Sequence, residues 1–162
     1  MTITKNVVMI KEVTLQEAMM LEQVVSTLIG KGIPVLKDSI LEANKTLKEI
    51  TTVTLEKKQE IINKYLTRNE DGSGVLKEGI DETKNLLVTD FESSDEEAMI
   101  KEINELVEST IKLDFKCADK DSEVLVKVDG EYKTFTLEDY LNKSTAIDTR
   151  ILGLLNEFFI NE

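Results

Sequence analysis

Histidine and tryptophan are absent from the 162 residues, cysteine and proline occur once each, and aromatic residues make up 5%. Without histidine there is no Ser-His-Asp triad, no Cys-His pair, no imidazole-ligated zinc or haem, and no histidine pH switch. The lone Cys117 excludes an internal disulfide and a cysteine-cluster metal site, and it suits a reducing compartment. The seven glycines are scattered and form neither G-x-G-x-x-G nor a Walker loop. No window approaches 18 uninterrupted apolar residues, since Met19 to Ile29 is already broken by Glu22, Gln23, Ser26 and Thr27. The start, Met1 to Val13, carries Lys5, Lys11 and Glu12 and lacks the apolar run and small-residue cleavage site of a signal peptide. These absences lead to the expectation of a cytoplasmic protein with no enzymatic activity, no cofactor, no metal and no membrane contact.

What is present is a leucine-, isoleucine- and valine-based apolar fraction of 41%, enough for one core and cramped for two, so residues 1–162 read as a single domain. Acidic residues number 32 against 20 basic ones, a net charge of -12, which argues against direct binding of nucleic acid or of an anionic membrane. The acidity is local. Residues 69–109 hold 13 acidic and 3 basic side chains, whereas residues 1–68 carry a small positive excess.

Local patterns order the chain. Asn6 to Val13 is β-branched-rich and stops at Thr14, which with Glu17 forms a T-x-x-E capping box for a helix from Leu15 to Ile29. Gly30 and Gly32 end it, and Pro34 is placed in the first turn of the next helix. Leu36, Ile40, Ala43, Leu47, Ile50, Thr54, Lys57, Ile61 and Tyr65 then alternate at spacings of four and three, a heptad seam that predicts a helix to about Leu66, roughly 50 Å long. Such a helix spans or overhangs a body about 40 Å across. Its apolar positions Leu36, Ile40, Leu47, Ile50 and Ile61 therefore read as a seam for the preceding helix, for the Ser94 to Ser109 helix or for a second copy in a homo-oligomer. The β-branched run Thr51-Thr52-Val53-Thr54 is the place where this helix would break.

Asn69 to Gly74 is a turn, and residues 75–93 read as an irregular acidic segment with one helical turn at most. Ser94 with Glu97 suggests a second capping box, opening a helix to Ser109 with Ala98, Met99, Ile103, Leu106 and Val107 on one stripe. Ile111 to Cys117, Glu123 to Val128 and Tyr132 to Thr136 alternate as strands, with Asp129-Gly130 as a hairpin turn, and predict a β-meander paired with the first strand. Thr136 with Asp139 opens a short helical turn. Thr145 with Asp148 opens a terminal helix whose Ile147, Ile151, Leu154, Leu155, Phe158 and Phe159 form an apolar face. The expected class is α+β, mainly helical: a helix hairpin over residues 14–66, the acidic segment 69–93, a helix over 94–109, a small antiparallel sheet including 110–136, and helices over 137–162.

Several groups invite chemistry. Asn69, Asp71, Ser73 and Gly74 match the first ligand positions of a calcium loop, but the twelfth position is Ile80 rather than a bidentate Glu, so a plain turn is expected. Asp95, Glu96, Glu97, Glu102 and Glu105 suit a capped, solvated helix face better than acid-base work. Cys117 lies on a strand whose Lys116 points to the opposite face, so a buried structural thiol is expected. Phe158, Phe159 and Tyr140 fit a core or a partner spot. The acidic side chains Glu92, Asp95, Glu96, Glu97, Glu102, Glu105 and Glu108 form a candidate partner-binding patch.

The order of a capped helix, a tight G-x-Pro break, a long helix ending EKKQEIINKYL, an acidic turn with DG, the helix DEEAMIKEINELVE, a strand and TLEDYL before an apolar terminal helix resembles a family of small uncharacterised phage proteins. These come from viruses and prophages of low-GC Gram-positive bacteria, and the likeness spans roughly Thr14 to Ile160. The acidic insert Val75 to Ser93 and the hairpin Glu123 to Thr136 depart from that pattern. The resemblance implies a setting, infection of a bacterial host cell, and no catalytic residues. Three functional readings follow: a non-catalytic phage accessory protein acting by protein contact with itself or a host protein, in virion assembly or host-directed binding, through its long heptad helix; an acidic inhibitor of a host defence or nucleic-acid-handling protein; and a small-molecule sequestering protein.

Overall fold

Thr14 does cap the first helix as its sequence suggests. Glu17 N–H donates to Thr14 Oγ1 at 3.1 Å, and Thr14 N–H donates to Glu17 Oε1 at 3.3 Å. In the computed structural model, which describes residues 7–144 and 147–161, that cap joins strand β1 (Val7–Thr14) to helix α1 (Leu15–Ile29). Asn6, expected at the start of the strand, lies outside the described residues.

The reversal after α1 uses Gly32 at φ 57° and Val35 at φ 69°. A β-branched residue is strained in that left-handed region. Pro34 therefore belongs to the turn, and α2 starts three residues later than its proline suggested, running Lys37–Tyr65. The helix is continuous through Thr51 to Thr54. Thr54 is buried, and its Oγ1 donates to Ile50 O at 2.7 Å, so the hydroxyl that weakens helix propensity is satisfied on the helix itself.

Helices α1 and α2 form the expected hairpin, and Ala18, Leu21, Val25 and Leu28 of α1 share one core with Ile40, Ala43 and Leu47 of α2. Within it Ser26 Oγ lies 2.9 Å from Asn44 Oδ1, which partners the buried Asn44. The C-terminal half of α2 is covered instead by α3 (Glu96–Glu108), whose Met99 is fully buried. The cap of α3 differs from the expected Ser94–Glu97 box: Asp95 Oδ1 accepts from Ala98 N at 3.0 Å, one residue later. Ser94 N–H is committed elsewhere, to Tyr65 O at 2.7 Å.

Between α2 and α3 the chain makes an excursion closed by backbone hydrogen bonds among three extended pieces. Thr67 N–H donates to Glu92 O, Val75 N–H to Thr67 O, and Glu92 N–H to Val75 O, at 2.7 to 3.0 Å. The only helical content there is a 3-10 turn, Val88–Asp90. Gly74 faces the ring of Phe91 across this junction, where a Cβ would stand 2.8 Å from Phe91 Cδ1. The acidic segment thus has a specific fold built from main-chain bonds, which alternation of side chains does not reveal.

The second half departs from the meander. Strand β2 (Thr110–Asp119) pairs antiparallel with β1 in the register Val7↔Cys117 to Thr14↔Thr110. Its other neighbour is β5 (Ile160–Asn161), parallel at Ala118 and Asp119, while β3 (Glu123–Val128) and β4 (Glu131–Thr136) form a hairpin of their own. So the described residues form two sheets rather than one. Asp129 and Gly130, at φ 52° and 84°, make the expected turn. Thr136 caps α4 (Leu137–Lys143) through Asp139 N–H at 3.1 Å. Asp148 caps α5 (Thr149–Phe158) through Ile151 N–H at 2.8 Å; Thr145, the expected cap, lies outside the described residues. The core draws on α1, α2, β2, α4 and α5, and Phe115, Phe158, Phe159 and Ile160 are buried in it. The class is α+β and mainly helical.

Candidate interaction surface

The seven acidic residues of the candidate patch divide once their partners are known. Asp95 is spent on the cap of α3. Glu96 Oε2 accepts from Lys77 Nζ at 2.8 Å, and Glu102 Oε1 accepts from Lys64 Nζ at 2.8 Å. The hydrogen bond holds the Glu102 carboxyl below and the Lys64 ammonium above their ordinary values. Both pairs are open to water and serve to tie the excursion and α2 to α3 rather than to add much stability. Glu92, Glu97, Glu105 and Glu108 remain exposed. Among the described residues their side chains have no ion-pair partner, but Lys101 lies four residues after Glu97 and four before Glu105 on the same helix face. The patch is therefore smaller and less uniformly negative than the sequence count suggests.

Asp90 is the most buried carboxylate of the excursion. Its Oδ2 accepts from Leu87 N at 2.7 Å, and its Oδ1 from Lys84 Nζ at 3.1 Å. The Leu87 N–H is the main cause that holds this carboxyl below the ordinary aspartate value, with Lys84 adding to it against partial desolvation. A carboxyl depressed in the folded chain stabilises it fully above the unfolded value near 3.8, and that contribution is lost as pH falls through the folded value. The expected result is that the Leu87 amide, followed by NMR exchange, loses protection as pH falls below about 4. In Asp90→Asn that pH dependence disappears.

Three of the five seam positions are taken up inside the chain itself. Leu36, Ile40 and Leu47 are at most 2% exposed and packed within the chain's own core. The 4-3 spacing is satisfied inside the molecule because α1 folds back onto α2. Only Ile50 and Ile61 are half-buried. Ile50 lines an open, mostly apolar groove of about 430 Å³ with Leu15, Val53, Leu106 and Ile111, bordered by Glu49 and Lys57. Val53 is 48% exposed. Sequence periodicity carries no signal for this groove, because Val53 and Leu106 belong to different stripes on separate helices.

A second groove, of about 310 Å³, lies further along the same helix between Ser39, Glu42, Ala43 and Thr46 of α2 and Lys112, Asp114 and Lys116 of β2. Lys116 Nζ reaches Glu42 Oε2 at 2.9 Å across it.

The remaining candidates are structural. At the calcium-like turn, Asp71 Oδ1 accepts from Ser73 N at 2.9 Å and from Ser73 Oγ, while Asn69 Nδ2 donates to Ser73 Oγ at 3.1 Å. The Ser73 hydroxyl chiefly holds the Asp71 carboxyl low. These oxygens are turned on one another, and no group of three metal-binding side chains occurs among the described residues. Cys117 is buried with Sγ 3.1 Å from Phe158 O, and burial pushes its thiol up, the opposite of a nucleophile. Phe158 and Phe159 are core, at 5.0 and 5.7 Å from the Phe115 ring. Tyr140 stands apart from them, beside Phe135 and Lys143 under the β3–β4 hairpin.

No protein-family model, curated protein or solved structure matches the chain. No helix among the described residues is long and apolar enough to cross a membrane.

Proposed function

We propose that this is a non-catalytic accessory protein that works by protein contact, in the phage-infection setting its sequence pattern suggests, and that the contact is made along the α2 flank facing β2 and α3. The observation that carries this reading is the exposed apolar groove of Ile50, Val53, Leu106 and Ile111, bordered by charged side chains. Other apolar side chains are also exposed, such as Ile10, Met20 and Leu125, but here apolar side chains from two helices and a strand line one groove beside charges, as partner sites commonly do. Oligomerisation through Leu36, Ile40 and Leu47 is not part of the proposal, since those side chains are used up internally. The acidic-inhibitor reading keeps one observation in its favour, the four exposed carboxylates Glu92, Glu97, Glu105 and Glu108.

Affinity capture from bacterial host lysate at low and high salt, with wild type and Val53→Asp, separates the two. Retention of a partner at high salt and its loss with a normally folded Val53→Asp variant support the groove. Loss of the partner at high salt in wild type, with Val53→Asp behaving like wild type, favours the carboxylates. Absence of any partner in both conditions overturns the contact reading.

A further inference from the structure

Strand β2 has two edges, and among the described residues only part of one is unoccupied. On the β1 side, odd-numbered residues are the hydrogen-bonded ones: the ladder pairs Val7 with Cys117 and ends with Leu15 N–H donating to Ser109 O at 2.9 Å. On the other side, Ala118 N–H donates to Phe159 O at 2.9 Å, next to β5. Main-chain groups along a strand alternate sides with period two. The N–H and C=O of Lys112, Asp114 and Lys116 therefore point to the same side as those of Ala118, and among the described residues nothing pairs with them. The groove of about 310 Å³ lies along this stretch, and the apolar groove adjoins its Ile111 end, so that together they follow the flank of α2 from Ser39 to Lys57, about 27 Å at 1.5 Å per residue.

We propose that the edge of β2 from Thr110 to Lys116 takes up an extended segment of a partner protein as an added strand. The inference rests on the contact reading above and says how that contact is made. Two observations select an extended chain as the occupant. The edge already accepts one, because the protein's own Ile160 and Asn161 fill its last two positions at Ala118 and Asp119. And the groove beside it runs between Ser39, Glu42, Ala43 and Thr46 of α2 and Lys112, Asp114 and Lys116 of β2, so an occupant meets strand main chain on one wall and helix side chains on the other.

Charge fixes the chemistry of the occupant. The exposed side chains along the edge alternate Lys112, Asp114, Lys116, so the facing positions of the added strand are acidic, basic, acidic. Its intervening side chains turn toward Ala43, Ile50 and Val53 and are apolar. The Lys116–Glu42 pair, about half exposed on both sides, opens at small cost to admit it. Main-chain bonds supply the hold and the alternating side chains the selectivity, as in other strand additions.

The probe is a fluorescent capped heptapeptide, Val-Glu-Val-Lys-Val-Glu-Val, titrated into the full chain, with amide exchange read by NMR. Saturable binding is expected, with exchange at Lys112, Asp114 and Lys116 slowed at least tenfold. A copy of the peptide N-methylated at alternate positions should not bind, and the charge-inverted peptide should bind at least tenfold more weakly. Asp114→Pro removes an outward N–H without touching the β1 ladder and should abolish binding; if that variant does not fold, Asp114→Lys should weaken binding of the first peptide and strengthen that of the inverted one. No binding at millimolar peptide, or binding that leaves those three amides unprotected, overturns the proposal. The contact reading fails separately, in the lysate capture: a peptide-negative protein that still loses its partner on Val53→Asp keeps that reading and rejects strand addition.

Discussion

Leu47→Asp unfolds this protein rather than dissociating it. Leu47 is 1% exposed at the point where α2 meets α1, in the core that also holds Val25 and Ile40. Removing its side chain alone costs about 2–5 kcal/mol through lost transfer energy and a cavity. A carboxylate placed there adds several kcal/mol more, either as an unpaired buried charge or as the work of keeping it protonated. A domain of this size has roughly 5–15 kcal/mol in all. Far-UV circular dichroism is therefore expected to show no cooperative melt for Leu47→Asp at 25 °C, with light scattering giving an expanded or aggregated chain. A folded monomer of normal helix content would show that the heptad face is used between copies after all.

Phe159→Ala should lower stability by about 3–5 kcal/mol. The side chain is fully buried and meets Phe115 edge-on, with ring centroids 5.7 Å apart, and its carbonyl accepts from Ala118 N–H. The residue thus holds the end of α5 and the start of β5 onto β2. For a chain of this length the loss corresponds to a drop in Tm of roughly 10 °C, read by calorimetry. Tyr132→Ala, at a 67% exposed position of the β3–β4 hairpin, serves as the comparison and should move Tm by less than about 2 °C. Equal effects at the two sites would contradict the burial that assigns Phe159 to the core.

Some of the candidate surface was legible in advance. Glu97, Glu105 and Glu108 fall on the solvent side of α3, as their spacing between Ala98, Met99, Leu106 and Val107 requires. Their number overstated the patch, because the partners of Glu96 and Glu102 come from Lys77 and Lys64, 19 and 38 residues away, and no local pattern announces such pairs. The groove had no sequence signal at all, being made where Val53 and Leu106 approach from separate helices. Neither had the β2 edge, which exists because β3 does not pair with β2.

Features that depend on neighbours within a turn were determined by the sequence alone: the Thr14–Glu17 cap, the α1 and α2 periodicities, the Asp129-Gly130 turn and the Thr136 cap of α4. Composition likewise determined that these residues carry no imidazole and form no disulfide among themselves. Only the tertiary structure decided which surfaces meet. A heptad seam has the same spacing whether its partner is α1 of the same chain or a helix of another, and β2 alternates identically whether β3 or β5 lies beside it. Those choices rest on contacts between residues far apart in sequence, such as Phe115 with Phe159 and Leu47 with α1, whose energy depends on the packing of the whole core and leaves no trace in any short window.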